Sequence, residues 1–167
     1  NWEYPGYDFR RGYLDDKRVA ADYSGLARLV EETREAFDAF EVEHGRQLTV
    51  SMAYYPDGRQ ENLLLQHGVA THVDLMHIMA YDANGENHSP VELAKRATKQ
   101  ALAILPPHKV TLGLPFYGRH TRTGEWTTYE DLVQQNHPLG PHEDRGGDIS
   151  FNGRATIRKK TQYAIQR

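Results

Sequence analysis

Val73-Asp74-Leu75-Met76-His77-Ile78-Met79-Ala80-Tyr81-Asp82 is the stretch on which the fold turns. In an extended chain Val73, Leu75, His77, Met79 and Tyr81 share one face, and Met76, Ile78 and Ala80 share the other. Both faces are largely apolar, as expected of a strand covered on two sides in a parallel sheet. The stretch closes on a polar pair, Tyr81-Asp82. Barrels and open α/β sheets alike build their sites at the C-terminal ends of such strands.

Working outward, strand and helix alternate. Upstream, the spacing of Leu26, Leu29, Val30, Thr33, Phe37 and Phe40 predicts a helix over 18–44 with one apolar stripe, and Gly45 is placed to end it. An apolar strand follows over 47–55, then a shorter helix over 61–68. Downstream, Ser89-Pro90-Val91-Glu92 reads as a helix start, with Ser89 capping, Pro90 at the first helical position and Glu92 completing a capping box. Leu93, Ala97, Ala101 and Ile104 form its buried stripe, and Pro106-Pro107 stops it. A further strand is predicted over 109–117 and a closing helix over 154–166. Residues 118–153 are rich in Gly, Pro, His and charge, and read as an insertion on a loop, with too few apolar residues for a core of their own. This alternation implies an α/β fold with a parallel sheet. Pattern alone leaves a barrel and an open sheet both standing.

Composition narrows the function classes. A length of 167 residues suits one domain, and 38% hydrophobic with 26% charged residues suits a soluble globular protein. The net charge of −3 is too small to imply a nucleic-acid or membrane partner. The densest basic cluster, Arg158-Lys159-Lys160, reads as a solvated helix face. Cysteine is absent, so this stretch holds neither disulfides nor thiolate metal sites. The nine histidines lack metal-ligand spacing such as His-Glu-x-x-His, and neither a metal nor a cofactor is expected. Asn87-His88-Ser89 matches a glycosylation sequon, a triplet that arises often by chance.

Three segments then carry chemistry: Asn1-Trp2-Glu3-Tyr4-Pro5, Met79-Ala80-Tyr81-Asp82, and Gly113-Leu114-Pro115-Phe116-Tyr117-Gly118-Arg119. In series they resemble glycoside hydrolase family 18, the chitinase family. The fourth barrel strand of that family ends in Asp-Gly-x-Asp-x-Asp-Trp-Glu-Tyr-Pro, its sixth in Met-x-Tyr-Asp, and its seventh carries Gly-x-Pro-x-Tyr-Gly-Arg. Phe151-Asn152-Gly153 with Ile157 and Lys160 resembles the stretch leading to the eighth strand. The resemblance implies a (β/α)8 TIM barrel of which this chain holds the C-terminal part, from the end of strand 4 to the helix before strand 8, with the insertion after strand 7. It implies a chain that begins inside a motif, so a signal peptide has no place to show, and little activity for these residues by themselves.

The same resemblance implies a function. Most glycosidases use two carboxylates, but in family 18 the substrate's own N-acetyl group attacks the anomeric carbon. Glu3 matches the general acid, and Tyr81 the donor that holds the acetamido oxygen. Tyr4, Met79, Asp82, Tyr117 and Arg119 match positions around the sugar. The family usually has Asp where this chain has Asn1, which can accept the acetamido N–H but brings no charge to the oxazolinium intermediate; slower turnover or a shifted pH optimum is expected. The implied reaction is retaining hydrolysis of β-1,4-linked N-acetylglucosamine polymers or oligomers such as chitin, by a secreted enzyme. A non-catalytic chitin-binding lectin on the same scaffold, and an endo-β-N-acetylglucosaminidase, are the alternatives. Trp126 reads equally as a sugar-stacking residue and as a loop anchor.

Overall fold

The computed structural model describes residues 2 and 5–167. In chain order the elements are β1 (Tyr7–Asp8), β2 (Gly12–Tyr13), α1 (Asp16–His44), β3 (Ser51–Tyr54), α2 (Arg59–Gln66), β4 (Leu75–Ile78), α3 (Val91–Leu102), β5 (Val110–Leu112), β6 (Tyr117–His120), β7 (Trp126–Thr128), α4 (Tyr129–Gln135), β8 (Arg145–Gly146), β9 (Ile149–Ser150) and α5 (Arg154–Ile165). They form two compact units, one of residues 1–78 and 100–111, the other of residues 79–99 and 112–167. Among the described residues no helix is long and apolar enough to cross a membrane.

The first unit is built on a three-stranded sheet of order β3-β4-β5. β3 and β4 run parallel, with Ser51 opposite Leu75 and Tyr54 opposite Ile78; parallel neighbours need a crossover, and α2 supplies it. Met52, Tyr54, Met76 and Ile78 are buried, and an apolar side chain so buried contributes roughly 1.5–3 kcal/mol. β3 is shorter than the 47–55 read from apolarity. The backbone N–H groups of Leu48 and Val50 donate to carboxylates instead, Glu41 at 2.7 Å and Asp74 at 2.8 Å. α2 starts two residues before the predicted Glu61 because the Asp57 carboxylate accepts from the N–H groups of Arg59 and Gln60, at 2.9 and 2.8 Å.

α1 begins on Asp15, whose side chain accepts from the Arg18 N–H, and ends at Gly45 in the left-handed region. Its buried stripe is Val19, Tyr23, Leu26 and Val30. The predicted continuation fails: Leu29 and Phe40 are exposed. Beyond Val30 the helix is held by Arg34, which reaches Asp38, Glu41 and Asp74 at 2.7, 2.8 and 3.0 Å. A hairpin of β1 and β2, absent from the sequence reading, precedes α1; it is tied by the Tyr13 hydroxyl donating to Asp57 at 2.6 Å.

The second unit contains a four-stranded antiparallel sheet of order β7-β6-β9-β8. The strand predicted over 109–117 is therefore two elements. β5 stops at Leu112, and β6 starts at Tyr117 in the other sheet; Gly113 and Pro115 lie between, and proline cannot donate to a ladder. Residues 118–153, read as a loop insertion, contain most of this sheet and α4. Thr128 caps α4 by accepting from the Asp131 N–H. Leu132 and Phe151 are buried despite the polar composition around them. Gly118 has no room for a side chain, since a Cβ there would lie 2.5 Å from Ile149 Cγ2 and 3.0 Å from Leu132 Cδ1.

Candidate active site

β4 carries the chain into Met79, Ala80, Tyr81 and Asp82. Met79 and Ala80 are buried, Tyr81 is half-buried, and Asp82 is open to solvent. Asp82 has φ = +61°, the one non-glycine residue with positive φ among those described. The left-handed conformation costs a residue with a Cβ about 1 kcal/mol and persists only where its surroundings fix it.

Those surroundings include residues read from the sequence. The Tyr117 hydroxyl donates to Asp82 Oδ1 at 2.6 Å. The Arg119 guanidinium lies 3.3 Å from the same oxygen and 3.4 Å from the Asp82 carbonyl, while its Nε donates to the Gly124 carbonyl at 3.1 Å. Tyr81 meets Tyr117 edge-on, with ring centroids 6.1 Å apart. β6 explains the pairing: residues two apart on a strand point to one face, so Tyr117 and Arg119 reach Asp82 together. In the antiparallel ladder Arg119 stands opposite Trp126, which places the two side chains on one face; Trp126 is 73% exposed.

His88 completes the cluster, and nothing in the local sequence marks it. The ring is buried, with Nδ1 3.7 Å from Asp82 Oδ1 and its centroid 5.1 Å from that of Tyr117. Its backbone N–H donates to Ser150 Oγ at 3.3 Å. The imidazole, the Tyr117 hydroxyl and Arg119 together hold the Asp82 carboxyl below its ordinary range, with the imidazole contributing most and burial opposing. Tyr117 moves the other way: burial, then the adjacent carboxylate, pushes its phenol up. At neutral pH the cluster thus presents an anionic carboxylate, a neutral phenol and a cation. It can accept and donate hydrogen bonds to hydroxyl and amide groups, but an Asp82 so acidic is a poor proton donor. A polar cleft of about 250 Å³ opens beside it, lined by Asn84, His88, Arg119, His120, Arg122 and Ser150.

Two sequence expectations are corrected at the base of this loop. Ser89 does not serve as a simple helix cap: its hydroxyl donates to the Ala80 carbonyl at 2.7 Å. Lys160 is not on a solvated face. It is fully buried, donating to Ser89 O at 2.7 Å and to Ser89 Oγ and Asn152 Oδ1 at 2.6 Å each. Arg158 and Lys159, its neighbours in the basic run, remain exposed, because a helical turn of α5 sends consecutive residues to different faces. Asn1, Glu3 and Tyr4, three of the expected site residues, lie outside the described residues.

The sequence profile of the glycosyl hydrolases of family 18 matches residues 1–166. "Probable chitinase 2" of Drosophila melanogaster is 28% identical over 166 residues, covering 91% of this chain and 32% of that protein, so the chain spans about a third of that relative. The chitinase ChiB from the chitin utilization locus of Flavobacterium johnsoniae superposes with a TM-score of 0.64 at 26% identity, over 93% of this chain and 63% of that one. A chitinase-like agglutinin of Robinia pseudoacacia superposes with a TM-score of 0.71 at 21% identity, over 99% of this chain and 58% of that one. These likenesses give a TIM-barrel-like α/β fold.

Proposed function

The chain belongs to the glycosyl hydrolases of family 18, and on that premise we propose that it is the C-terminal part of a (β/α)8 barrel that hydrolyses β-1,4-linked N-acetylglucosamine chains with retention of configuration. Glu3 donates a proton to the glycosidic oxygen while the acetamido oxygen of the same sugar attacks the anomeric carbon, and the bond to the leaving sugar breaks. The Tyr81 hydroxyl donates to the acetamido group as charge develops there, a kind of contact worth about 3 kcal/mol in comparable sites. A water deprotonated by the Glu3 carboxylate then opens the oxazolinium ring from the face the leaving sugar vacated. Asn1 orients the acetamido N–H without adding charge. Asp82, Tyr117 and Arg119, with Tyr4, hold sugar hydroxyls near the scissile bond; Met79, being buried, shapes the floor through packing. Trp126 lies beside Arg119 in the ladder and is exposed enough to stack on a sugar ring. A secreted protein fits this substrate.

The observation that carries the reading is the pre-formed Asp82–Tyr117–Arg119 contact, drawn from two of the three motifs and built around a strained backbone. The test is hydrolysis of chitin oligosaccharides by the protein at its natural length, beside a Glu3→Gln variant. Loss of a general acid costs typically 10²–10⁴-fold, so kcat should fall by about that factor while oligosaccharide binding survives. Equal product from both proteins contradicts the role of Glu3.

A second reading is an oligosaccharide-binding lectin. Asn1 in place of the usual Asp favours it, and the fold is shared with an agglutinin. It predicts tight binding and no product from either protein.

A further inference from the structure

A buried ammonium is costly to desolvate, and Lys160 has no role in the chemistry above. Its three N–H groups meet three acceptors, Ser89 O, Ser89 Oγ and Asn152 Oδ1, at 2.6–2.7 Å. Asn152 Nδ2 also donates to Ser89 O, at 2.9 Å. The Ser89 hydroxyl in turn donates to Ala80 O at 2.7 Å. One cation on α5 therefore grips the end of the loop 80–89, and the hydroxyl it grips ties that end to the loop's beginning. Within the loop the Ala83 N–H donates to the His88 carbonyl at 2.9 Å. Between these ties sit the left-handed Asp82 and the buried His88 ring.

Asn152 is itself fixed. It precedes Gly153, whose N–H donates to Asp144 Oδ1 at 2.7 Å, and a Cβ at Gly153 would collide with the Glu143 carbonyl oxygen. Asp144 Oδ2 accepts from the Thr156 hydroxyl at 2.6 Å, holding the first turn of α5. The backbone that follows Asn152 and the first turn of α5 are thus anchored to Asp144, away from the loop.

We propose that Lys160 is a positioning residue for the Asp82 site: its buried ammonium, acting through Ser89 on Ala80, holds the loop 80–89 in the turn that presents Asp82 to Tyr117 and Arg119. A left-handed backbone at a residue with a side chain needs surroundings that over-determine it, and this clamp supplies them without touching a ligand. The inference rests on the reading of Asp82 as a sugar-binding group.

Two measurements on the protein at its natural length test it, using Lys160→Met, Ser89→Ala, Asp82→Ala and Lys160→Met with Asp82→Ala. The first needs no ligand. NMR of ring-labelled tyrosine follows the Tyr117 phenol, whose resonance reports its hydrogen bond to Asp82. Lys160→Met should shift that resonance toward its position in Asp82→Ala, and Ser89→Ala should do so in part. An unmoved resonance in both variants overturns the proposal. Should Lys160→Met fail to fold, Ser89→Ala decides by the same criterion. The second measurement is binding of an N-acetylglucosamine oligosaccharide. Lys160→Met should weaken it by about tenfold, with no further loss when Lys160→Met is added to Asp82→Ala, since residues acting through one contact are non-additive. Losses that simply multiply would make Lys160 a general stabiliser and overturn the proposal. Unchanged binding by Asp82→Ala would instead refute the sugar-binding reading of Asp82, while the ligand-free result still judges the clamp.

Discussion

Two cations each gather several acceptors, Arg34 partly covered at a helix flank and Lys160 wholly buried. Arg34 on α1 reaches three carboxylates, of which Asp38 and Asp74 are well exposed. Lys160 on α5 is fully buried and reaches a carbonyl, a hydroxyl and an amide, and among the described residues no carboxylate pairs with it directly. Counting ion pairs would rank Arg34 first. Physical chemistry ranks it second, because two of its three partners are exposed carboxylates that water and salt screen, whereas removing a fully buried donor leaves its acceptors unsatisfied in a medium that screens little. The difference also separates roles. Arg34 covers the end of a helix whose apolar stripe has run out, and Lys160 fixes a loop that carries chemistry.

The comparison sharpens into measurements. Lys160→Met should have the largest effect, destabilising the fold by about 3 kcal/mol, since it orphans two buried acceptors and leaves Ser89 O with Asn152 alone; a melt of the two proteins checks this. Burial pushes the Lys160 ammonium down to about 8 from an ordinary 10.5, against the pull of Asp144 and Glu92. Between those pH values the unfolded chain holds a proton that the native fold has released, so this group makes stability rise with pH. The gap between wild type and Lys160→Met should widen from pH 8 to 10, by up to about 1.4 kcal/mol per unit; a gap that narrows would contradict the sign.

Next comes Tyr117→Phe, which removes the 2.6 Å bond to Asp82. As Asp82 is nearly half exposed, the cost should be only about 1 kcal/mol of stability. Asp82→Asn tests the acid side. The Asp82 carboxyl is held below its ordinary range, so its contribution is present above about pH 3.9 and is lost as pH falls through the depressed value. Melts from pH 6 down to 2 should show the wild-type advantage shrinking only at the acid end. Arg34→Met should do least, costing about 1 kcal/mol or less, with the share owed to the exposed Asp38 and Asp74 fading in added salt. A large, salt-insensitive loss there would break the contrast.

How much of this was legible follows from which interactions are local. β4 and the α3 stripe of Leu93, Ala97 and Ala101 declare themselves because burial on a fixed period is written in consecutive residues. Tyr117 and Arg119 were legible only through the resemblance of their segment to a Gly-x-Pro-x-Tyr-Gly-Arg motif, and the structure brings them to Asp82. The four-stranded antiparallel sheet was hidden. Its strands are two to four residues long and mostly polar, so no apolar period announces them. Lys160 was misread because a basic run says nothing of which residue faces inward. Ser89 was misread because a hydroxyl placed to cap a helix also lies near a carbonyl nine residues away. His88 stood in the sequence only as the middle residue of a sequon, which says nothing of its ring; its meaning comes from Asp82 and Tyr117 folding around it.

In the proposed reaction one carboxylic acid works without a second carboxylate, because the sugar supplies the nucleophile. The direct test offers the protein, at its natural length, matched β-1,4-linked oligomers of N-acetylglucosamine and of glucosamine, and follows products by anomer-resolving NMR. Cleavage confined to the acetylated oligomer, releasing the β-anomer first, is the predicted result. Comparable cleavage of the oligomer that lacks the acetyl group would contradict it.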